Sequence, residues 1–245
     1  MIRLEGLHKS FGINHVLKGV DLEVPEGCLY GLVGPGASGK SVLLKLLAGL
    51  LKPDRGQVVV QGRNVGDMSE LDLHQFRTKF GMAVQNYALF DFMTVGENIA
   101  FPLRRLFDMT EEQIQARISE RLRSVSLPGF EERLVAGLSG GQKTRVAVAR
   151  ATVPQGESVL YDEPAAGLDP VTSQRIFELL RHEQQQSGAT VVMVSSDLDR
   201  MLSVTDRVGM LLQGRLIFDG STAEAKSSTN PYVNQFINGL TEGPL

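Results

Sequence analysis

GPGASGKS, residues 34–41, decides the fold. Its spacing is G-x-x-x-x-G-K-S, and its neighbours matter as much as its letters. Ahead of it CLYGLV, at 28–33, is an apolar strand-like run. Behind it SGKSVLLKLLAGL, at 38–50, sets Val42, Leu43, Leu46, Leu47 and Leu50 at helical spacing, with Gly49 as a stop. In a strand, glycine-rich turn and helix of this kind, backbone amides and the helix's positive end surround phosphate oxygens. Gly34, Pro35, Gly36, Ala37, Ser38, Gly39 and Val42 then line the loop. Lys40 reaches the β and γ phosphates of a nucleotide, and Ser41 ligates Mg²⁺. A glycine turn that merely caps a helix is the competing reading, and the flanking strand and helix weigh against it.

Around this core the first sixty residues alternate β-like runs with turns: IRLEGL, VLKGVDLEV, CLYGLV and QVVVQG. From about 86 to 156 helical patterning takes over. In EEQIQARISERLRSVSLP, Ile114, Ile118, Leu122 and Val125 share one face of a predicted helix that Pro128 and Gly129 end. Then follow strand-like ESVLYDEP, helical SQRIFELLRHEQQQ, VVMVSSDLDR, RVGMLL and RLIFDG. Strands alternating with helices predict an α/β fold with a mainly parallel sheet covered on both faces.

Composition narrows the class. The 245 residues are 42% hydrophobic and 22% charged, enough for an ordinary globular core and not the balance of a disordered chain. A net charge of −3 leaves no basic surplus for nucleic acid or an anionic membrane surface. Cys28 is the single cysteine, so no internal disulfide or cysteine zinc site forms, which suits a reducing compartment. The start MIRLEGLHKS lacks a secretion-signal pattern, and no run approaches 18 apolar residues. The expectation is a chain that neither crosses a membrane nor leaves the cytosol by itself.

SVLYDEP, at 158–164, ends a strand in two successive carboxylates, which point to opposite sides unless the chain bends between them. Of Asp162 and Glu163, one can hold the Mg²⁺ hydration shell while the other polarises a water for attack on a γ phosphate. LSGGQ, at 138–142, is the most specific stretch. Ser139, Gly140, Gly141 and Gln142 place a hydroxyl and bare amides at a helix start, an anion site.

With GPGASGKS, SVLYDEP and LSGGQ together, nearly the whole chain resembles the ATP-binding subunit of an ABC transporter. The resemblance implies a P-loop NTPase of ABC type, with a mainly parallel core sheet, an antiparallel β subdomain and an inserted α-helical subdomain. One domain spans 1–245: a nucleotide-binding core at about 1–85 and 157–220, a helical subdomain at about 86–156, and a docking tail at about 221–245. It also implies that Phe11 in KSFGINHVL stacks on adenine, where the alternative is an ordinary core aromatic. Gln85 in MAVQNYALF is the Q-loop glutamine, linking the Mg²⁺ site to a membrane partner, and Asp169 in AAGLDP is the D-loop aspartate at a dimer seam. The signature of one copy completes the site of another, so a head-to-tail pair is expected, binding ATP and Mg²⁺.

At one point the sequence departs from the family. A histidine normally precedes the aspartate after this strand, and here Ser196 stands before Asp197. Serine can still donate one hydrogen bond to phosphate but cannot become cationic. Losing a donor aimed at transition-state charge slows chemistry by about 10² to 10³. Slow hydrolysis with Glu163 and Lys40 as working parts is therefore favoured over ATP binding as a clamp alone.

QNYALFDFMTVGENIAFPLRRLF, at 85–107, gathers Tyr87, Phe90, Phe92, Phe101 and Phe107. Part of this set is core and part suits a groove for a short helix of a permease. In the tail NPYVNQFINGL, Asn230 is a cap, Pro231 a first helical residue and Gly239 a stop. Val233, Phe236, Ile237 and Leu240 form one face, which must dock on its own domain or on a neighbour. This ending and ALFDFMTVGENIAFPLR are similar to the ATPase of Mla-type phospholipid transporters. That similarity implies work with a permease and an MCE-domain lipid carrier, at the cytoplasmic face of the inner membrane, with no nucleic acid partner. An importer ATPase for amino acids or another small solute would share every catalytic motif. A soluble ABC protein of the non-transport kind would carry coiled coils, zinc modules or a second ATPase domain.

Overall fold

The computed structural model describes residues 1–245. The chain divides into two compact units, one of Met1–Leu73 with Thr190–Leu245, the other of His74–Ala189. The first unit opens with β1 (Ile2–Phe11), β2 (Asn14–Val24), β3 (Leu29–Val33), α1 (Lys40–Leu47), β4 (Arg55–Val60) and β5 (Arg63–Asn64). The boundary falls within α2 (Glu70–Thr78). The second unit holds β6 (Phe80–Ala83), α3 (Val95–Leu106), α4 (Glu111–Ser124), α5 (Gly140–Thr152), β7 (Ser158–Asp162) and α6 (Pro170–Ser187). The chain then returns to the first unit with β8 (Thr190–Val194), α7 (Leu198–Val204), β9 (Arg207–Leu212), β10 (Arg215–Ser221), α8 (Thr222–Lys226) and α9 (Pro231–Asn238).

In the first unit, β2, β1, β4 and β5 form an antiparallel sheet in that order. Its strands alternate as a one-sided sheet must. Ile2, Leu4, Leu17, Val20, Leu22, Val58 and Val60 are buried, while Arg3, Glu5, Asp21 and Glu23 face out. The other strands of this unit run β10, β9, β3, β8. β3 pairs in parallel with both β8 and β9, and β10 folds back antiparallel on β9. β3 and β8, LYGLV and TVVMV, are buried along their full length, the pattern of strands covered on both faces. Because β3 and β8 are parallel neighbours, with Leu32 opposite Val194, their following loops leave the same sheet edge. Those loops begin at Gly34 and Ser195.

In the second unit β6 and β7 are also parallel, with Ala83 opposite Tyr161, so Gln85, just past β6, and Asp162, the last residue of β7, lie at the ends of strands that finish at one edge. The helices carry the expected faces. Ile114, Ile118, Leu122 and Val125 are all buried. Thr94 with Glu97 and Thr110 with Gln113 form capping boxes that start α3 and α4. A buried ion pair from Arg121 to Glu183 ties α4 to α6.

The tail helix α9 starts and stops where its sequence predicts. Asn230 accepts a hydrogen bond from the Tyr232 amide at 3.1 Å, and Gly239 ends the helix at φ 62°. It lies against α8 of its own chain, with Val233 and Ile237 buried. Leu240, expected on the same face, is 47% exposed. Gln235 takes part of that burial instead, its Oε1 accepting from the Leu245 amide at 2.8 Å.

Candidate functional site

In the first unit the turn after β3 wraps tightly. Gly34 has φ 144°, and a Cβ there would come within 2.0 Å of the Leu211 carbonyl oxygen, so no side chain fits. The helix cap, Gly39, has no side chain of its own to engage the first-turn amides of α1. The Lys40 ammonium is held inside the arc of the loop, donating to the Gly34 carbonyl at 2.7 Å and the Pro35 carbonyl at 2.9 Å. Ser38 is buried. Amides at a helix start with one fixed ammonium among them make a receptor for a polyanion.

Phe11 ends β1 and is 49% exposed, with the Lys9 ammonium 5.6 Å from its ring centre. It is not a core aromatic. Ser196 is exposed at the carboxyl end of β8, one strand over from the phosphate loop. It is framed by two engaged neighbours. The buried Ser195 Oγ accepts from the Asp197 amide at 3.0 Å, and Asp197 caps α7 while accepting from Arg200 Nη1 at 2.6 Å.

In the second unit Asp162 closes β7 and is buried, and the chain turns at once, since Glu163 has φ 51°. Without such a bend two adjacent strand carboxylates would point to opposite sides. Glu163 lines a small cavity with Ala83, Asn86, Tyr87 and Thr144. Gln85 opens an exposed turn, after which Asn86, Tyr87 and Ala88 all have positive φ, at 61°, 65° and 49°. Each left-handed non-glycine residue costs on the order of 1 kcal/mol, so the neighbours must hold this run in place. Arg150, near the end of α5, does so: Nη2 donates to the Tyr87 carbonyl at 2.9 Å and Nη1 to the Ala88 carbonyl at 2.7 Å. Burial pulls the Arg150 pKa down, yet the guanidinium remains charged. Asn98, fully buried on α3, bonds to both the amide and the carbonyl of Phe90.

The LSGGQ stretch starts α5 with a capping box. Ser139 Oγ accepts from the Gln142 amide, and Gln142 Oε1 accepts from the Ser139 amide. A Cβ on Gly140 would lie 2.9 Å from Leu168 Cδ2 and 3.2 Å from the Tyr87 hydroxyl. The glycines thus let neighbouring chain approach, besides baring amides. Asp169 caps α6, accepting at 3.0 Å from the Val171 and Thr172 amides. Hydrogen bonds from Thr172, first its side chain and then its backbone, hold the Asp169 carboxyl below the usual aspartate range.

The sequence profile described as "ABC transporter" matches residues 17–166, a stretch containing the phosphate loop, the signature and both carboxylates. The chain belongs to the ABC transporter family. Within that family it is the ATP-binding, ATPase component of a membrane transport system. The cassette is 37% identical over its whole length to the probable ribonucleotide transport ATP-binding protein mkl of Mycobacterium leprae (strain TN), covering 70% of that protein. It is 32% identical, over 94% of this chain and 86% of the other, to the intermembrane phospholipid transport system ATP-binding protein MlaF of Escherichia coli (strain K12). Among solved structures it is similar to a dimeric post-hydrolysis state of the ATP-binding cassette MJ0796 bound to ADP and Pi, with 30% identity and a TM-score of 0.83. That alignment covers 91% of this chain and 99% of the other.

The cassette's expected site residues fall into two sets. Phe11, the loop from Gly34 to Val42, and Ser196 belong to the first unit. Gln85, Ser139 to Gln142, Asp162, Glu163 and Asp169 belong to the second. Sequence reading missed Arg150, Asn98 and the Leu168 and Thr172 contacts. The first two carry a faint mark, a polar residue inside VAVARA and inside VGENIAF, where every neighbour toward the core is apolar.

Proposed function

We propose that this cassette hydrolyses ATP slowly to drive a membrane permease that moves phospholipid between two membranes. The observation that carries the cargo is the likeness to MlaF along 94% of this chain, in line with the similarity of its Q-loop segment and tail to that transporter type. The name of mkl favours a second reading, ribonucleotide movement.

In the proposed chemistry Phe11 stacks on adenine, and the amides from Gly34 to Val42 bind the α and β phosphates. Lys40 neutralises charge developing at the γ phosphate. Ser41, Gln85 and Asp162 each carry a hard oxygen donor, the kind Mg²⁺ accepts alongside phosphates and water. No group of three or more His, Cys, Asp or Glu side chains offers an all-protein cage. Bound there, Mg²⁺ would offset negative charge on the β and γ phosphates. Glu163 polarises the attacking water, and Ser196 gives the γ phosphate one neutral donor in place of an imidazole.

Ser139, Gly140, Gly141 and Gln142 of one copy close over the nucleotide of another in a head-to-tail pair, and the similar cassette MJ0796 is named as dimeric. Asp169 lies at the seam. The groove formed by Phe80, Met82, Phe90, Phe101, Pro102 and Leu106 is mostly apolar and suits a permease helix. No helix is long and apolar enough to cross a membrane. The likeness to MlaF supports a peripheral place at the cytoplasmic face of the inner membrane, with an MCE-domain carrier reached through the permease, and the net charge of −3 favours no nucleic acid partner.

The test is co-expression with the chromosomally adjacent genes, purification of the assembly, and mass spectrometry of what it retains. A permease and phospholipid support the reading. A permease with bound ribonucleotide and no lipid enrichment supports the second. In a Glu163→Gln variant ATP should drive pairing visible by scattering, and a chain that stays single at saturating ATP ends the composite-site proposal.

A further inference from the structure

Asn86, Tyr87 and Ala88 form the longest run of left-handed non-glycine residues in the chain, and two of them line the cavity that Glu163 also lines. Such a run persists only where the surroundings over-determine it. Its own hydrogen bonds are short-range, from the Tyr87 amide to the Val84 carbonyl and from the Ala88 amide to the Asn86 carbonyl. The tie to the rest of the second unit is the Arg150 fork on the Tyr87 and Ala88 carbonyls. At the other end of α5, the Tyr87 hydroxyl lies 3.2 Å from where a Cβ on Gly140 would sit. Tyr87 is therefore held through its carbonyl by Arg150 near one end of the signature helix, while its phenol lies close to Gly140 at the other.

We propose that Arg150 is a positioning residue for hydrolysis. Its two-pronged grip sets the conformation of Asn86–Ala88, and with it the placement of Gln85 just before the run, the Asn86 and Tyr87 wall of the cavity that Glu163 lines, and the approach of Tyr87 to Gly140. A guanidinium suits this task because it presents paired N–H donors in a fixed plane, whereas an ammonium on a flexible stem has no planar fork to set the spacing of two carbonyls. The proposal rests on the hydrolytic reading given above, and it adds a residue that touches neither nucleotide nor metal.

The experiment compares Arg150→Lys and Arg150→Ala with the unsubstituted cassette by two readouts. One is steady-state ATP turnover, the other hydrogen exchange at the Tyr87 and Ala88 amides. In both variants kcat falls about 10- to 100-fold, as misplacement at a distance does, while KM for ATP stays within about twofold. Exchange at the two amides quickens in both. Added guanidinium ion restores turnover to Arg150→Ala and not to Arg150→Lys. Unchanged kcat in Arg150→Lys overturns the proposal, as does lost turnover with unchanged exchange, or a KM that rises in step with the loss. If Arg150→Ala fails to fold, Arg150→Lys decides alone. If the unsubstituted cassette turns over no ATP, the hydrolytic reading fails, and unaltered exchange in Arg150→Lys separately overturns the grip.

Discussion

Gly141 in the signature and Thr172 in the first turn of α6 approach so closely that a Cβ on Gly141 would lie 2.6 Å from Thr172 Cγ2. Two effects of Gly141→Ala oppose each other. Alanine improves helix propensity by up to about 1 kcal/mol, while overpacking costs about 1–3 kcal/mol. Here overpacking wins, because the contact is with a β-branched side chain that has few rotamers to escape into. Gly141→Ala should destabilise by about 1–2 kcal/mol. Thr172→Ser keeps the hydroxyl and removes the methyl, so the double variant should recover most of the loss in denaturant unfolding. Additive losses would mean that this contact does not set the glycine requirement.

Ser196 stands exposed at the end of β8, next to the strand that feeds the phosphate loop. Ser196→His should raise ATP turnover at least about tenfold, by restoring a donor that can carry charge. The check is kcat at saturating Mg-ATP together with nucleotide affinity. Equal or lower kcat with intact affinity would remove the explanation of slow hydrolysis.

Asp169 has a depressed carboxyl pKa in the fold. A depressed acid contributes stability that is present above its unfolded pKa, about 3.9, and is lost as pH falls through the folded value. Asp169→Asn keeps a capping oxygen without that dependence. The thermal midpoint of the unsubstituted cassette should therefore exceed that of the Asp169→Asn variant at pH 7 and lose its lead below about pH 4. Parallel midpoint curves from pH 3 to 7 would contradict the assignment.

Arg121 and Glu183 have side chains only 13% and 7% exposed, and the pair bridges α4 and α6 beside the fully enclosed Tyr161. Glu183→Ala strands a buried guanidinium and should cost about 3–5 kcal/mol. Replacing both partners, Arg121→Met with Glu183→Leu, should come within about 1 kcal/mol of the parent in urea unfolding. A single substitution as mild as the double would mean that solvent reaches the pair.

Local pattern carried much of the architecture. A strand buried on both faces is a continuous apolar run, so CLYGLV, SVLY and VVMV were legible, and α4 announced its face through Ile114, Ile118 and Leu122. The four-residue β6, Phe80–Ala83, was not singled out, because so short a strand holds too few residues to show a period. The tail's caps were legible for the same reason as α4. Its partner α8 was not, since five residues in a polar stretch announce nothing.

Motifs that depend on order along the chain were therefore legible in the sequence alone. The phosphate loop, the Asp162–Glu163 pair, the signature and the serine at 196 are each contiguous, and their meaning lies in spacing. Only the tertiary structure decided which distant residues keep those pieces in shape. Arg150 meets Tyr87, Gly141 meets Thr172 and Arg121 meets Glu183 across separations of about 30 to 60 residues, read from their numbers. The physical reason is that close packing and buried hydrogen bonding act through space, and a one-dimensional pattern records which residues are apolar without recording whom they touch.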